Sequence, residues 1–133
     1  MIRISADDVL RGLKRFKRLA KQDLLASPLT NNPRFWRILA ETRRSQYTEL
    51  MNIVEKDGVE MAYRYAVGRY ASLPRVVSSD QIGSEPVFAG QKLALEMFFT
   101  MLGVTRQAAL QAAARTKPKV PKSETRVAGG AIV

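Results

Sequence analysis

The stretch SADDVLRGLKRFKRLAKQDLLA, residues 5–26, decides the fold. Leu10, Leu13, Phe16, Ala20 and Leu24 recur within it at the spacing of one helix face. Ser5 stands where a hydroxyl can accept from the free N–H groups of a first turn, and Asp7 and Asp8 suit the positive end of the helix dipole. Pro28 closes the segment, because the residue before a proline resists the α conformation. The spacing therefore predicts a helix over 6–26. Arg11, Lys14, Arg15, Lys17, Arg18 and Lys21 cover a wide flank beside the apolar stripe, and only Asp23 offsets them between residues 9 and 26.

The same punctuation recurs outward from this helix. Asn32-Pro33 pairs a capping side chain with proline at a first helical position, opening a helix over 33–57. That helix is expected to bury Phe35, Trp36, Leu39, Tyr47, Leu50, Met51 and Val54. Asp57-Gly58 ends it, with the glycine expected in the left-handed conformation. A third helix spans 59–72, with Val59, Tyr63, Ala66, Val67 and Tyr70 on one side and Pro74 after it. Residues 74–89 lack helical periodicity and read as an irregular connection, with a short extended piece at Arg75-Val76-Val77. Two further helices are expected over 90–102 and 105–115, separated by Gly103. From Lys117 proline alternates with lysine, the composition of an extended chain. The expectation is an all-α domain of about five helices over 1–116, followed by an extended basic tail over 117–133.

Charge divides the chain differently. Residues 1–58 carry 12 Lys/Arg against 7 Asp/Glu, residues 59–104 carry 4 against 4, and residues 105–133 carry 6 against 1. Two basic ends around a neutral centre point to a polyanionic partner, of which nucleic acid is the commonest. Cysteine and histidine are both absent, which removes disulfides, thiol chemistry and the side chain most used in proton transfer and metal ligation. With no glycine-rich phosphate loop and no spaced carboxylate cluster, neither an enzyme nor a cofactor is expected. The first residues hold no apolar run of the kind a secretory leader needs. Residues 93–104 are too short to span a bilayer, which takes about 20 residues. A soluble protein is expected, cytoplasmic or carried in a virion, and with no membrane partner.

One local pattern adds a candidate reading head. Met101-Leu102-Gly103-Val104-Thr105-Arg106-Gln107-Ala108-Ala109, within residues 95–115, resembles the turn and second-helix start of a helix-turn-helix DNA-binding motif. In that family a Leu-Gly-Val-(Ser/Thr) turn joins two helices, and the second lies in the major groove. Phe98, Leu102 and Val104 supply its apolar positions, Gly103 the tight turn, Thr105 the cap, and Ala109 and Ala112 the close packing. The resemblance implies that Thr105, Arg106, Gln107 and Gln111 face bases, with Arg115 and Lys117 on phosphates. The sequence departs from the motif at Phe99, where alanine is usual, and in the apolar start Leu95-Glu96-Met97. The plainer reading of the same residues is a helical hairpin closed by a glycine.

Other features carry two readings each. The cations of the first helix either neutralise phosphates or form a solvated face. Tyr65 and Arg69, four apart, either stack on a base or partner or pair with each other at the surface. Arg43, set in the apolar sector of the second helix, either pairs with an acid or is kept for a subunit contact. The tail, with Lys117, Lys119 and Lys122, is either plain disorder or a strand over nucleic acid or a neighbouring subunit. The leading expectation is a non-catalytic nucleic-acid-binding protein, DNA ahead of RNA, gripping phosphates through its basic ends. The alternative is a structural or adaptor subunit of a large nucleoprotein assembly such as a phage particle, acting as a homo-oligomer or beside other subunits.

Overall fold

A computed structural model describes residues 3–73 and 85–116. In chain order these form α1 (Ala6–Ala26), a 3-10 turn (Ser27–Leu29), α2 (Pro33–Asp57), α3 (Val59–Ser72), α4 (Pro86–Met101) and α5 (Arg106–Thr116). No strand occurs among the described residues, and the fold is all-α as the sequence predicts. The extended piece at 75–77 and the tail lie outside the described residues.

The helix ends follow from the capping residues. Asp8 donates its backbone N–H to Ser5 Oγ at 3.2 Å, and Phe35 donates to Asn32 Oδ1 at 3.3 Å. Gly58 bridges α2 and α3 at φ 96° and ψ 171°. This is not the left-handed helical conformation expected there, but an extended one at positive φ that is essentially reserved for glycine. Its N–H still closes α2 on the carbonyls of Ile53 and Val54.

The segment 74–89 needs correction. Residues 86–89 are already helical, so α4 begins four residues before the expected position. Pro86 starts the helix and does not interrupt it. A first-turn proline gives up no intrahelical hydrogen bond, and its fixed φ suits the turn.

The second helix, α2, is the hub. It lies between α1 and α4, and α3 packs on it; α5 is seated mainly on α3. Val9, Leu13 and Ala20 of α1 meet Tyr47, Leu50 and Val54 of α2, while Ala66, Val67 and Tyr70 of α3 close on Leu95, Phe98 and Phe99 of α4. The small residues let helices approach. Gly90 on α4 sits so close to α2 that an added Cβ would lie 2.8 Å from the Leu39 carbonyl oxygen. Phe99 ties α4 to α3: its ring meets Tyr70 edge-on at 5.5 Å and Tyr63 at 6.0 Å, a favoured geometry for aromatic pairs. Phe35 is half-buried, but Trp36 is 42% exposed, against the expectation that both are core.

Candidate nucleic-acid interface

Lys14, Lys17, Arg18 and Lys21 stand at i, i+3, i+4 and i+7, and so share one face of α1. Antiparallel packing of α1 on α2 brings Arg44 and Met51 opposite them. Together the six residues line a groove of about 290 Å³ that has five cations and no carboxylate in its lining. Lys14 and Lys21 are about 10 Å apart along the helix axis at 1.5 Å per residue. The lysine stems can cover the Met51 surface while their ammonium groups stay in water.

The acid that the sequence offers to these cations is used elsewhere. Asp23 Oδ2 accepts from Arg43 Nη1 at 3.0 Å. Arg43 is 6% exposed, and its Nε and Nη2 also donate to the Tyr47 hydroxyl, each at 3.4 Å. That hydroxyl donates in turn to Met97 Sδ at 3.4 Å. Arg43 is thus a buried cation paired with an acid, and the subunit-contact reading falls. Burial holds the Tyr47 hydroxyl above the ordinary tyrosine pKa, against the opposing pull of the Arg43 hydrogen bond.

With Asp23 committed, none of Lys14, Arg15, Lys17, Arg18 and Lys21 forms an ion pair among the described residues. Arg11 does, with Asp8 at 3.5 Å, but both side chains are well exposed; such pairs contribute about 0–1 kcal/mol and exchange readily. Arg11 and Arg15 lie outside the groove.

Arg44 is the residue that sequence reasoning missed. Its Nε is shut from water and has no hydrogen-bond acceptor, a state that costs about 1–3 kcal/mol for a buried polar group. The signal was the Arg43-Arg44 pair itself. Arg43 turns into the core, and its neighbour, about 100° further round the helix, turns to the α1 flank. On its other side Arg44 borders a hollow of about 530 Å³ lined also by Glu41, Ser45, Thr48, Glu49 and Asn52. Those carboxylates set the edge of the basic face.

At the other end, the Gly103 turn is built as the sequence suggests. With φ 80° at Gly103, Gly103 N–H donates to the Thr100 carbonyl at 3.0 Å and Val104 N–H to the Phe99 carbonyl at 2.9 Å. This pair of bonds satisfies two of the free carbonyls at the end of α4. Thr105 Oγ1 then caps α5 by accepting from Ala108 N–H at 3.0 Å. Gln107, Gln111 and Arg115 are exposed, Thr105 is exposed, and Ala109 is buried. Arg106 begins α5, and its side chain lies outside the described atoms, as do Lys117, Lys119 and Lys122. The groove is lined by α1 and α2, whereas the α5 residues sit on a helix packed mainly on α3.

Tyr65 is turned inward, against the base-stacking reading. It is half-buried against the core, and its hydroxyl accepts from Gln46 Nε2 at 3.4 Å. No helix among the described residues is long and apolar enough to cross a membrane. Comparison with known proteins gives no match: no family model, curated protein or solved structure resembles the chain.

Proposed function

We propose that the protein binds nucleic acid, DNA ahead of RNA, without catalysis, by holding the phosphate backbone against α1. The observation that supports this most is the α1–α2 groove, where five cations converge with no acid in the lining. Phosphates taken up there displace condensed counterions, so affinity falls steeply with salt. The aromatic residues favour a duplex. Among the chain's five phenylalanines, four tyrosines and one tryptophan, only Trp36 and Phe88 are exposed, and neither lines the groove. Single strands are held largely by stacking on aromatic rings, whereas a duplex is gripped by its phosphates. Thr105, Arg106, Gln107 and Gln111 form the second, base-reading half of the proposal, with Arg115 and the tail lysines on flanking phosphates.

The test is a titration of a short labelled duplex with the wild type and with the quadruple variant Lys14→Ala, Lys17→Ala, Arg18→Ala, Lys21→Ala, from about 50 to 200 mM salt. The variant should bind more weakly, with a log–log salt slope flatter by about 0.9 for each phosphate it no longer neutralises. Equal binding by both proteins overturns the reading. For the base-reading half, Gln107→Ala or Gln111→Ala should reduce discrimination between duplex sequences by about 1–3 kcal/mol.

A second reading, the adaptor subunit of a nucleoprotein assembly such as a phage particle, draws on a separate observation. Leu25 and Leu29, around the α1–α2 connection, are 69% and 89% exposed, and Trp36, Val87 and Phe88 at the starts of α2 and α4 are each 42% exposed. Large apolar side chains left this exposed are candidates for contact with a neighbouring subunit. A mass in solution that corresponds to a defined oligomer, unchanged by DNA, would favour it over the first.

A further inference from the structure

We infer that the groove holds a discrete seat for one phosphodiester of the duplex, anchored by Arg44, and is not merely a diffuse positive surface. This inference rests on the nucleic-acid reading and adds to it the residue that anchors the phosphate. Three observations lead to it. Arg44 is the only residue of α2 that brings charge to the groove, facing Lys14, Lys17, Arg18 and Lys21 across it. Its Nε–H is buried without an acceptor, although a guanidinium in water would have all its donors satisfied. Arg43, beside it, has taken the nearby acid Asp23, so the groove offers Arg44 no carboxylate. An oxyanion entering between the helices would meet the partly exposed Arg44 side chain, and a turn of its guanidinium toward the groove would bring the buried Nε–H to a second acceptor oxygen, with the α1 cations on the opposite wall. Lysine cannot reproduce this, since it brings a point charge without the fork.

That difference makes the seat testable with charge held constant. Binding of the short duplex would be measured for the full-length wild type, Arg44→Lys, Arg64→Lys on the exposed outer side of α3, and the quadruple α1 variant, with helical content checked by circular dichroism. Inorganic phosphate alone is titrated in parallel. Arg44→Lys should weaken duplex binding about tenfold, as loss of one charge-assisted hydrogen bond does, while Arg64→Lys leaves it unchanged. If Arg44→Lys binds as the wild type does while the quadruple variant fails, the seat is overturned and the basic-face reading stands. Unimpaired binding by the quadruple variant overturns both. If Arg44→Lys loses inorganic phosphate but keeps the duplex, the groove takes a free phosphate and not the nucleic-acid backbone, which also overturns the inference.

Discussion

At the residue scale the most constrained side chain is Arg43, a cation 6% exposed whose charge is met by Asp23 at 3.0 Å and by the Tyr47 hydroxyl. Removing one partner of such a pair costs more than removing the buried charge itself, because the orphaned ion remains in a poor solvent. Asp23→Asn should therefore destabilise the protein more than Arg43→Met, which replaces the guanidinium with a flexible apolar chain among Tyr47 and Met97. Asp23 is itself 62% exposed, so solvent screens part of the loss, and about 1–2 kcal/mol is expected for Asp23→Asn in urea unfolding. A larger loss for Arg43→Met would mean that its packing outweighs its charge. Tyr47 links this cluster to pH. Its folded pKa lies above the unfolded value of 10.0, chiefly through burial, so the folded state holds that proton more tightly. The resulting stability is fully present below pH 10.0 and is lost as the pH rises through the folded pKa. Tyr47→Phe should flatten the decline of the urea midpoint above that pH.

At the scale of elements, the spacing between helices is set by where a Cβ is missing. Gly90→Ala would put a methyl group 2.8 Å from the Leu39 carbonyl oxygen and 2.9 Å from Thr42 Cβ. Both belong to α2, and neither can yield without moving α4 away from the hub; a loss of about 1–3 kcal/mol is expected, as for overpacked cores. Gly12→Ala on α1 meets only the end of the Met101 side chain, which can rotate aside, so its loss should be clearly smaller. Thermal melts of the two variants check the order. The same contrast between local and non-local information explains what the sequence disclosed. Ser5, Asn32-Pro33, Gly103 and Thr105 act on backbone groups within four residues of themselves, and their helix ends were legible from them. Pro86 was misread because a proline marks either the end of one element or the first turn of the next, and no cap of the Ser/Thr/Asn/Asp kind stands before it to decide. Trp36 was misplaced because hydrophobicity says that a ring prefers burial, not whether a partner helix reaches it. The groove was half legible: its α1 cations follow from a helical repeat, but Arg44 enters only through the register of α1 against α2, which sequence spacing does not encode.

At the scale of the whole molecule, a formal net charge of +10 must be carried without compensation inside the fold. The described acids do little to reduce it around α1: Asp23 is bound to Arg43, Glu41 to Arg37 and Glu96 to Lys92. Only the Asp23–Arg43 pair crosses between helices, and it is the one that takes an α1 carboxylate away from the α1 cations; the other two lie within α2 and α4. Residues 117–133 add Lys117, Lys119, Lys122 and Arg126 against Glu124, so a chain ending at Thr116 retains the groove but loses three of the ten net charges. This truncation separates the two functional readings. If the tail cations sit on phosphates alongside the groove, the truncated chain should bind the duplex with a salt slope smaller by roughly 3–4, at about 0.9 per neutralised phosphate. Its mass without DNA should match that of a chain shortened by the tail. If the chain is instead an adaptor whose tail reaches a neighbouring subunit, the same cut should leave the salt slope where it was and lower the order of the oligomer. Measuring the slope by fluorescence anisotropy and the mass by light scattering on one preparation distinguishes these outcomes, because counterion release follows phosphate neutralisation and oligomer mass follows subunit association.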